Sequence, residues 1–273
     1  MKRNATWWIA PLVSVLAVIW IVPVIGIVIM SVRPSDEISA GWWSLDKLTL
    51  TLSAWRAVWT RYPLMEALIS SLKIASLSTA ATMLLTPLAA YAFQFLRFPL
   101  RRTLLIVIVN AFVLPLQVVI IPLFRLWKDW GMIDNIASVL IPYVGLSFAW
   151  SVFLMKNFLE DFPRDLIDAA KIDGCGAFAT LFHVVLPNAL SPIFAIGILQ
   201  FLWTWNSLLL PLLFLRTEAP LPVVFSQIAG TWDPNWSVRA VAAIITTVLP
   251  LLIFIVFQRQ FSTGSMSHSG GKE

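Results

Sequence analysis

Long apolar blocks alternate with short polar stretches along the whole chain. A helix needs about 20 apolar residues to cross a hydrocarbon core of about 30 Å. The blocks that meet this length predict six transmembrane helices, at residues 7–32, 67–96, 103–126, 137–155, 188–215 and 238–257. The pattern therefore predicts an all-α integral membrane protein, with one long polar interruption, residues 156–187, between the fourth and fifth spans.

Composition agrees with this pattern. Hydrophobic residues make up 59% of the chain and charged residues 12%, and the mean hydropathy is +0.85, which excludes an ordinary soluble domain. The first apolar block is far longer than the roughly 7 to 15 residues of a signal-peptide core and no clear cleavage site follows it, so we expect a retained helix. The single cysteine, Cys175, excludes a disulfide within the chain.

Lysine and arginine indicate on which side of the membrane each loop lies. Six spans place both termini on one side, but the total basic charge is nearly equal on the two sides. The short connection that contains Arg97, Arg101 and Arg102 is densely basic, and such loops resist translocation. We therefore expect both termini and the 156–187 segment to be cytoplasmic.

The segment 156–187 is too charged to span a membrane, and its pattern predicts a helix-turn-helix that lies against the membrane face. Pro163 fits the first turn of a helix, and Asp161 is a candidate cap. Gly174 can adopt the positive φ that ends such a helix. A second helix follows and carries apolar residues at spacings of three and four until Pro187 ends or kinks it.

The first of these two helices has the composition of a docking element. Two small alanines would let another protein approach closely, and three charged side chains would form charge-assisted hydrogen bonds that fix its register. These residues are Asp168, Ala169, Ala170, Lys171 and Asp173. An amphipathic loop on the membrane surface explains the same pattern. The periodicity of the residues leaves both interpretations open.

The chain lacks the sequence signatures of an enzyme or a metal site. A phosphate-binding loop needs glycine, four residues and then Gly-Lys-Ser/Thr, and no such run occurs. His183 and His268 have no carboxylates or cysteines at metal-ligand spacing. We therefore expect no catalytic residue, no metal and no cofactor in this chain. The sequence also lacks the aromatic-interleaved basic patch of a nucleic-acid-binding protein, so no nucleic-acid partner is expected.

Polar and tryptophan residues at membrane depth are candidates for a translocation path. They are Asn110, Gln117, Gln200, Trp205 and Asn206, and Trp203 lies at the same depth. Such groups face the interior of a bundle, where they either hold helices together or line a path, and both roles stay open. A self-sufficient secondary transporter or channel is the alternative function. It would need ionisable residues at the bilayer midplane, and the nearest one, Lys73, lies toward the start of the second span.

Several motifs resemble one family of membrane proteins. The run from Asp168 to Gly174, followed by Phe182 and Leu186-Pro187, resembles the EAA loop of the inner-membrane permeases of binding-protein-dependent ABC importers. Three further groups of residues look like the carbohydrate-importer branch. They are Ala90-Tyr91-Ala92-Phe93 with Arg97-Phe98, Leu114-Pro115-Leu116-Gln117 with Ile121-Pro122-Leu123-Phe124, and Trp205-Asn206 with Pro211-Leu212. The family's usual glutamate is Asp168 here, which keeps the charge but shortens its reach.

The resemblance implies a function and a set of partners. The chain would be the transmembrane permease subunit of an ABC transporter that imports a sugar or a related polar solute across a bacterial cytoplasmic (inner) membrane. Its loop, with Gly174 as the turn and Pro187 near the end, would form a coupling helix in a cleft of a separate ATP-binding subunit, which uses ATP and Mg. The implied partners are a sister permease subunit, two ATP-binding subunits, an extracytoplasmic solute-binding protein and the lipid bilayer.

The same resemblance divides the chain into three parts. Residues 1–63 would hold the first span and the first periplasmic loop, residues 64–261 the permease core with the coupling loop, and residues 262–273 a flexible cytoplasmic tail. The tail lacks the longer apolar end that some relatives insert between their ATPase subunits. Its serine and glycine content therefore predicts disorder.

Overall fold

The computed structural model describes residues 9–39, 41–44, 47–113, 115–230 and 235–266, with side chains as far as residue 256. Every regular element in these ranges is a helix, so the predicted all-α class is confirmed. The first helices are α1 (Ile9–Ser31), α2 (Ser53–Arg61), α3 (Leu64–Phe95), α4 (Arg101–Ala111), α5 (Leu116–Asp129) and α6 (Ala137–Glu160). They are followed by α7 (Arg164–Ile172), α8 (Ala177–Thr180), the π-helical turn π1 (Leu181–Val185), α9 (Leu186–Asn188), α10 (Leu190–Trp205), α11 (Leu209–Phe214), α12 (Leu221–Gly230) and α13 (Trp236–Met266).

Four described helices are long and apolar enough to cross a membrane: α1, α3, α6 and the Trp236–Val256 part of α13. Two bent pairs pass the same test if each pair counts as one span. They are α4 with α5, bent by 98°, and the Ala177–Asn188 segment with α10, bent by 76°. The described residues therefore hold four to six spans, and the predicted six is the upper end of this range.

The third predicted span, residues 103–126, is not one helix. The helix α4 ends at Ala111, and α5 begins at Leu116. Pro115 has no N–H to donate to the carbonyl of Ala111, so the helical ladder cannot pass through this point unchanged. The apolar block is continuous in the sequence, but the backbone changes direction within it.

The fifth predicted span, residues 188–215, is also divided. The helix α10 ends at Trp205, and α11 begins at Leu209. Pro211 has no N–H to donate to the carbonyl of Ser207, so a single helix cannot run through these residues without a break. Two shorter helices take the place of the one that hydropathy predicts.

The first and last spans differ from the prediction at their ends. The helix α1 is described from Ile9, and its predicted start at Trp7 lies outside the described residues. The helix α13 extends through Met266, past its predicted end. It thus enters the 262–273 segment, which was predicted to be a flexible tail, and residues 267–273 lie outside the described part of the chain.

The chain forms two compact units. One contains residues 1–65 and 221–249, and the other contains residues 66–220 and 250–273. The first unit therefore holds α1, α2, α12 and the beginning of α13. The second holds most of α3, all of α4 to α11 and the end of α13, so every candidate coupling or path residue belongs to the second unit.

In the first unit, a buried arginine organises the loop after α1. Arg33 is 1% exposed, and its guanidinium donates hydrogen bonds to three backbone carbonyls, those of Trp42, Ser44 and Lys47. The carboxylate of Glu37 lies 3.6 Å from the same guanidinium. Because several backbone groups share one charged donor, this loop is folded around Arg33 rather than loosely extended.

Replacing Arg33 with alanine is expected to open this loop. The change removes the donor of three backbone hydrogen bonds and leaves Glu37 without its ion-pair partner. Limited proteolysis of membrane vesicles should therefore cleave residues 47–52 faster in the variant. Arg33→Lys keeps the charge but not the planar fork, so it should give an intermediate rate. Equal cleavage of all three proteins would contradict this role for Arg33.

In the second unit, buried hydroxyl groups join α3 to α6 and α10. The pairs are Thr82 with Ser147 at 2.7 Å, Thr86 with Ser151 at 2.7 Å, and Ser78 with Thr204 at 3.2 Å. Residues four apart lie on one face of a helix, so Ser78, Thr82 and Thr86 form a single stripe along α3. Interhelical hydrogen bonds of this kind hold membrane helices together because lipid offers no alternative partner. These hydrogen bonds fix the relative positions of α3, α6 and α10, the helices against which the α7–α8 segment packs.

Candidate coupling site and translocation path

The helix α7 presents two different faces. Ile167 and Ala170 are buried, whereas Asp168, Ala169 and Lys171 are exposed. Residues three apart fall on the same side of a helix, which explains the division. The predicted pair of small alanines is therefore split, because Ala169 is open to a partner and Ala170 packs inward. Lys171 Nζ lies 2.8 Å from Asp168 Oδ1, so the shorter carboxylate is already paired within α7.

The start of α7 differs from the prediction by one residue. Pro163 occupies the N-cap position immediately before the helix rather than its first turn. Asp161, the predicted cap, stands at the C-cap position of α6. Phe162, between these two residues, is buried in the core and anchors the turn between α6 and α7.

The turn after α7 requires glycine. Gly174 has φ +81°, in the left-handed region that L side chains rarely adopt. The N–H groups of Asp173, Gly174 and Cys175 donate to carbonyls of α7, at 2.9, 3.0 and 2.9 Å. These bonds satisfy carbonyls that the end of a helix leaves without a partner. The predicted positive-φ stop at Gly174 is confirmed.

The second predicted helix consists of α8, π1 and α9 in direct succession, and Pro187 lies inside this run rather than at its end. Pro187 has no N–H for the carbonyl of His183, and the wider register of π1 accommodates the missing bond. The run ends at Asn188, and Pro192 cannot donate to the carbonyl of this residue. The bend of 76° toward α10 therefore follows Pro187 instead of coinciding with it.

This segment exposes large apolar side chains. Ile172 is 87% exposed and Phe178 is 75% exposed, whereas Leu181 and Val185 are buried on the opposite side. Exposed apolar groups of this size beside charged ones are typical of an interaction surface. We call the exposed set the α7–α8 surface, which consists of Asp168, Ala169, Lys171, Ile172, Asp173, Phe178 and Phe182.

The buried side of the same segment packs against α3, α6 and α10. Ile167, Leu181 and Val185 belong to one core cluster with residues of those three helices. The helix residues in the cluster include Ala90 and Tyr91 of α3, Met155 and Leu159 of α6, and Ile193 and Ile196 of α10. Close-packed interiors transmit displacement because they contain few voids. A movement of α7 would therefore reach three helices at once.

The structure does not bring the five predicted path residues together. Asn110 and Asn206 are exposed, and each side-chain amide donates to a carbonyl of its own helical turn at 2.7 Å. Gln117 is also exposed, near the start of α5. These three side chains therefore share no enclosed polar site.

The other two predicted path residues are buried. Gln200 is fully buried, and its Nε2 donates to Thr204 Oγ1 at 3.1 Å. Its Oε1 has no hydrogen-bond partner among the described residues. The ring of Trp205 stacks on Phe201, with centroids 5.7 Å apart and an interplanar angle of 18°. Both side chains thus contribute to helix packing, which is one of the two roles that their position predicts.

A separate cavity of about 440 Å³ lies between the α4–α5 bend, α6 and α10. It is lined by Phe112, Leu116, Leu146, Trp150, Leu199 and Trp203. This lining includes Trp203, which the sequence placed at membrane depth, and none of the five path candidates. Apart from two indole rings the lining is aliphatic or phenyl, so it offers few hydrogen-bonding groups for a polar solute. Of this lining the sequence pattern singled out only Trp203, because the other residues carry the same apolar signal as the lipid-facing positions.

Asp134 precedes α6 in the chain and holds the loop after α11 in place through hydrogen bonds. Its carboxylate accepts hydrogen bonds from the backbone N–H groups of Arg216 (2.7 Å) and Thr217 (2.9 Å) and from the Thr217 hydroxyl. These hydrogen bonds, above all that of the Thr217 hydroxyl, lower the pKa of Asp134 to about 2. Lys73 lies 3.8 Å from Glu218 of the same loop, so this cation is placed at the loop rather than in mid-span.

Replacing Asp134 with asparagine is expected to remove a pH-dependent part of the protein's stability. The folded-state pKa is depressed, so the carboxylate stabilises the fold above its unfolded value of about 4 and loses this effect as the pH falls toward 2. Thermal unfolding should show wild type melting above Asp134→Asn at neutral pH, with a difference that shrinks below about pH 4. A difference that does not change with pH would contradict this assignment.

Among the described residues, no group of three His, Cys, Asp or Glu side chains could hold a metal ion. The ring nitrogen Nδ1 of His183 lies 3.0 Å from the carbonyl of Ala179 in its own helical segment. His268 lies outside the described residues.

These helices, two pairs of them bent, define a polytopic helical membrane protein with one exposed helix-turn-helix. The chain belongs to the family of binding-protein-dependent transport system inner membrane components, whose family pattern matches residues 83–264. The resemblance that the sequence motifs indicated is thereby confirmed.

Similar proteins align with nearly the whole chain. A probable ABC transporter permease protein of Pyrococcus horikoshii is 33% identical over 260 residues, which cover 93% of this chain and 94% of the relative. The trehalose transport system permease protein of Mycobacterium tuberculosis is 29% identical over 97% of each chain. The crystal structure of a bacterial ABC transporter involved in the import of the acidic polysaccharide alginate contains a chain with a TM-score of 0.77 and 20% identity. That match covers 96% of this chain and 98% of the other, and it shows a shared fold.

Proposed function

We propose that this chain is the transmembrane permease subunit of an ABC importer for a sugar or a related polar solute. Family membership and the full-length similarity to a trehalose permease support this function. ATP hydrolysis, with its Mg, would belong to a separate subunit, since this sequence contains no phosphate-binding loop. The chain would work in a bacterial cytoplasmic (inner) membrane with both termini in the cytoplasm.

The α7–α8 surface is the observation that carries this proposal. The apolar side chains of Ile172 and Phe178 are exposed next to charged groups. Exposure of apolar area to water costs free energy, and a partner that covers these side chains would remove this cost. We assign this partner as the ATP-binding subunit. The coupling segment comprises Asp168, Ala169, Ala170, Lys171, Asp173, Gly174 and Pro187.

The core cluster beneath the surface supports a mechanism. Closure of two ATP-binding subunits would draw α7 sideways, and Ile167, Leu181 and Val185 would pass that displacement to α3, α6 and α10. The hydroxyl pairs between these helices would make them move together rather than slide past one another. The bundle would then rock between an inward-open and an outward-open arrangement.

The solute path requires partners as well. We propose a sister permease subunit, two ATP-binding subunits and an extracytoplasmic solute-binding protein. The cavity of this chain is mostly apolar, so the sister subunit would supply most hydrogen bonds to the solute. Gln200 is the strongest of the five path candidates, because its Oε1 is buried without a hydrogen-bond partner in the described part of the chain.

Purification from membranes of the native host tests this function. The tagged chain, extracted in mild detergent, is expected to bring with it a second permease and an ATP-binding subunit, as identified by mass spectrometry. The reconstituted assembly should take up labelled sugar only with internal ATP and an external solute-binding protein. Uptake that needs no ATP and stops with an ionophore would instead identify a secondary transporter.

A further inference from the structure

A basic pocket lies between the end of α3, the start of α4 and α7. Its volume is about 440 Å³, and its lining consists of Gln94, Phe95, Arg97, Arg101, Arg164, Ile167, Asp168 and Lys171. Four of these side chains are basic and one is acidic, so the lining carries a net charge of +3. Charges of one sign around a concave surface concentrate anions there. The pocket is therefore a candidate anion site, distinct in chemistry from the apolar cavity.

The charges in this pocket are not balanced within the chain. The single carboxylate, that of Asp168, is paired with Lys171 at 2.8 Å. None of the salt bridges of the described residues includes Arg97, Arg101 or Arg164. Three guanidinium groups thus face one space, and an anion in it would relieve their mutual repulsion.

One of these guanidinium groups is held in a fixed orientation. Arg101 Nη1 donates to the carbonyl of Leu96 at 3.1 Å, and Nη2 donates to the carbonyl of Gln94 at 3.3 Å. These carbonyls lie at the C-terminal end of α3, where helical partners are missing. The arginine therefore joins α3 to α4 and keeps its charge at the pocket wall without needing a bound ligand to order it.

The surface beside the pocket indicates which anion it fits. The helix α4 begins at Arg101, and its next turns expose the apolar side chains of Leu104, Ile106 and Val107. A helix with such a surface in a membrane protein contacts acyl chains, and its basic end lies at the level of the headgroups. Basic pockets between helices on the cytoplasmic side are suited to anionic lipid headgroups.

We propose that the pocket binds the phosphate of an anionic phospholipid headgroup, with the acyl chains along α4. Arginine forks match phosphate oxygens in pairs, and three of the four basic side chains in the lining are arginine. The lipid would connect the α3–α4 turn to α7, so the headgroup would hold α7 against the bundle. Asp168 and Lys171 line the pocket and also belong to the α7–α8 surface, so this inference rests on the proposed function, which places the pocket on the cytoplasmic side next to the ATP-binding subunit.

The test uses the intact transporter, purified with its partner subunits, and the double variant Arg97→Gln/Arg164→Gln. Both arginines are exposed, so their replacement should leave folding intact. Native mass spectrometry would count phosphatidylglycerol retained from micelles with increasing lipid content. We expect the affinity for phosphatidylglycerol to fall about fivefold for each charge removed. The amount of zwitterionic phosphatidylcholine retained should be the same for the double variant and wild type. Arg102→Gln is the matched control, because Arg102 is an adjacent exposed arginine outside the pocket lining, and it should bind lipid as wild type does.

Three results would overturn the proposal. Equal phosphatidylglycerol binding by the double variant and wild type would show that the pocket is not the site. Inorganic phosphate could also protect the assembly against heat. Protection equal to that by the lipid, and equally dependent on Arg97 and Arg164, would identify a soluble anion as the ligand. Loss of the ATP-binding subunit from the double variant, with unchanged lipid binding, would assign the pocket to a protein contact. Weaker lipid binding with the subunit retained supports it.

Discussion

Valine in place of Gly174 is expected to abolish coupled transport while the protein still inserts into the membrane. Gly174 has φ +81°, and an L residue in this region costs roughly 1–2 kcal/mol, with β-branched residues among the least tolerated. The backbone would leave the left-handed region and rotate α8 against α7. The two halves of the α7–α8 surface would then no longer fit one partner. Solute uptake and solute-stimulated ATP hydrolysis by the reconstituted assembly should both fall at least about tenfold, the change that 1.4 kcal/mol produces.

Gly176 provides the matched control for this experiment. It lies two residues away with φ −69° and ψ 170°, an extended conformation that valine adopts readily. A Cβ at either glycine would meet no heavy atom within 4 Å, so the two sites differ in backbone geometry and not in space. Gly176→Val should therefore retain most of the transport. Wild-type uptake by Gly174→Val would disprove the coupling role, and equal losses at both glycines would point to added bulk as the cause.

Local chemistry explains which parts of the structure the sequence could predict. Gly174 ends α7 because a left-handed turn needs a residue without a Cβ, and this need does not depend on distant contacts. The helical class follows from apolar length in the same way, since a lipid environment requires every backbone group to be paired within its own segment. Both predictions concern one stretch of chain at a time.

The bends depend on more than local chemistry. Pro115 lies at the break before α5 and Pro211 lies in the first turn of α11, after the second break, whereas Pro87, Pro142 and Pro250 lie inside continuous helices. The carbonyl that a proline leaves unpaired can be satisfied by neighbouring side chains or by a local change of register. The sequence alone does not show which of these is present, so a continuous apolar block predicted one span where the structure has two helices.

The path residues were hard to place for a related reason. Asn110 and Gln200 are both amides within apolar helices, yet the first is exposed and the second is fully buried. Their difference comes from the rotation of α4 and α10 about their own axes, which packing sets. Likewise, Ala169 and Ala170 are adjacent and alike in chemistry, but only Ala170 faces the core. Hydropathy identifies the helix and does not fix its orientation.

Asparagine in place of Ile172 is expected to release the ATP-binding subunit. Ile172 is 87% exposed at the end of α7, and a hot-spot side chain at the centre of a docking surface contributes about 2 kcal/mol or more, about 30-fold in affinity. Leu100 is the matched control, because it is also a large exposed apolar residue and lies in the turn before α4. Leu100 has φ 59°, which asparagine tolerates well, so Leu100→Asn should not destabilise the fold.

Co-purification at increasing dilution in detergent would measure how tightly each variant binds the ATP-binding subunit. The ATP-binding subunit should dissociate from Ile172→Asn at dilutions where wild type and Leu100→Asn retain it, and ATP-dependent uptake should fall in parallel. The asparagine adds no charge, so it does not disturb the dipole of α7, and a loss of binding therefore reports on the missing apolar contact. Retention of the subunit by Ile172→Asn at every dilution would mean that the exposed side of α7 faces something else, and the lipid surface would then be the remaining interpretation of its apolar residues.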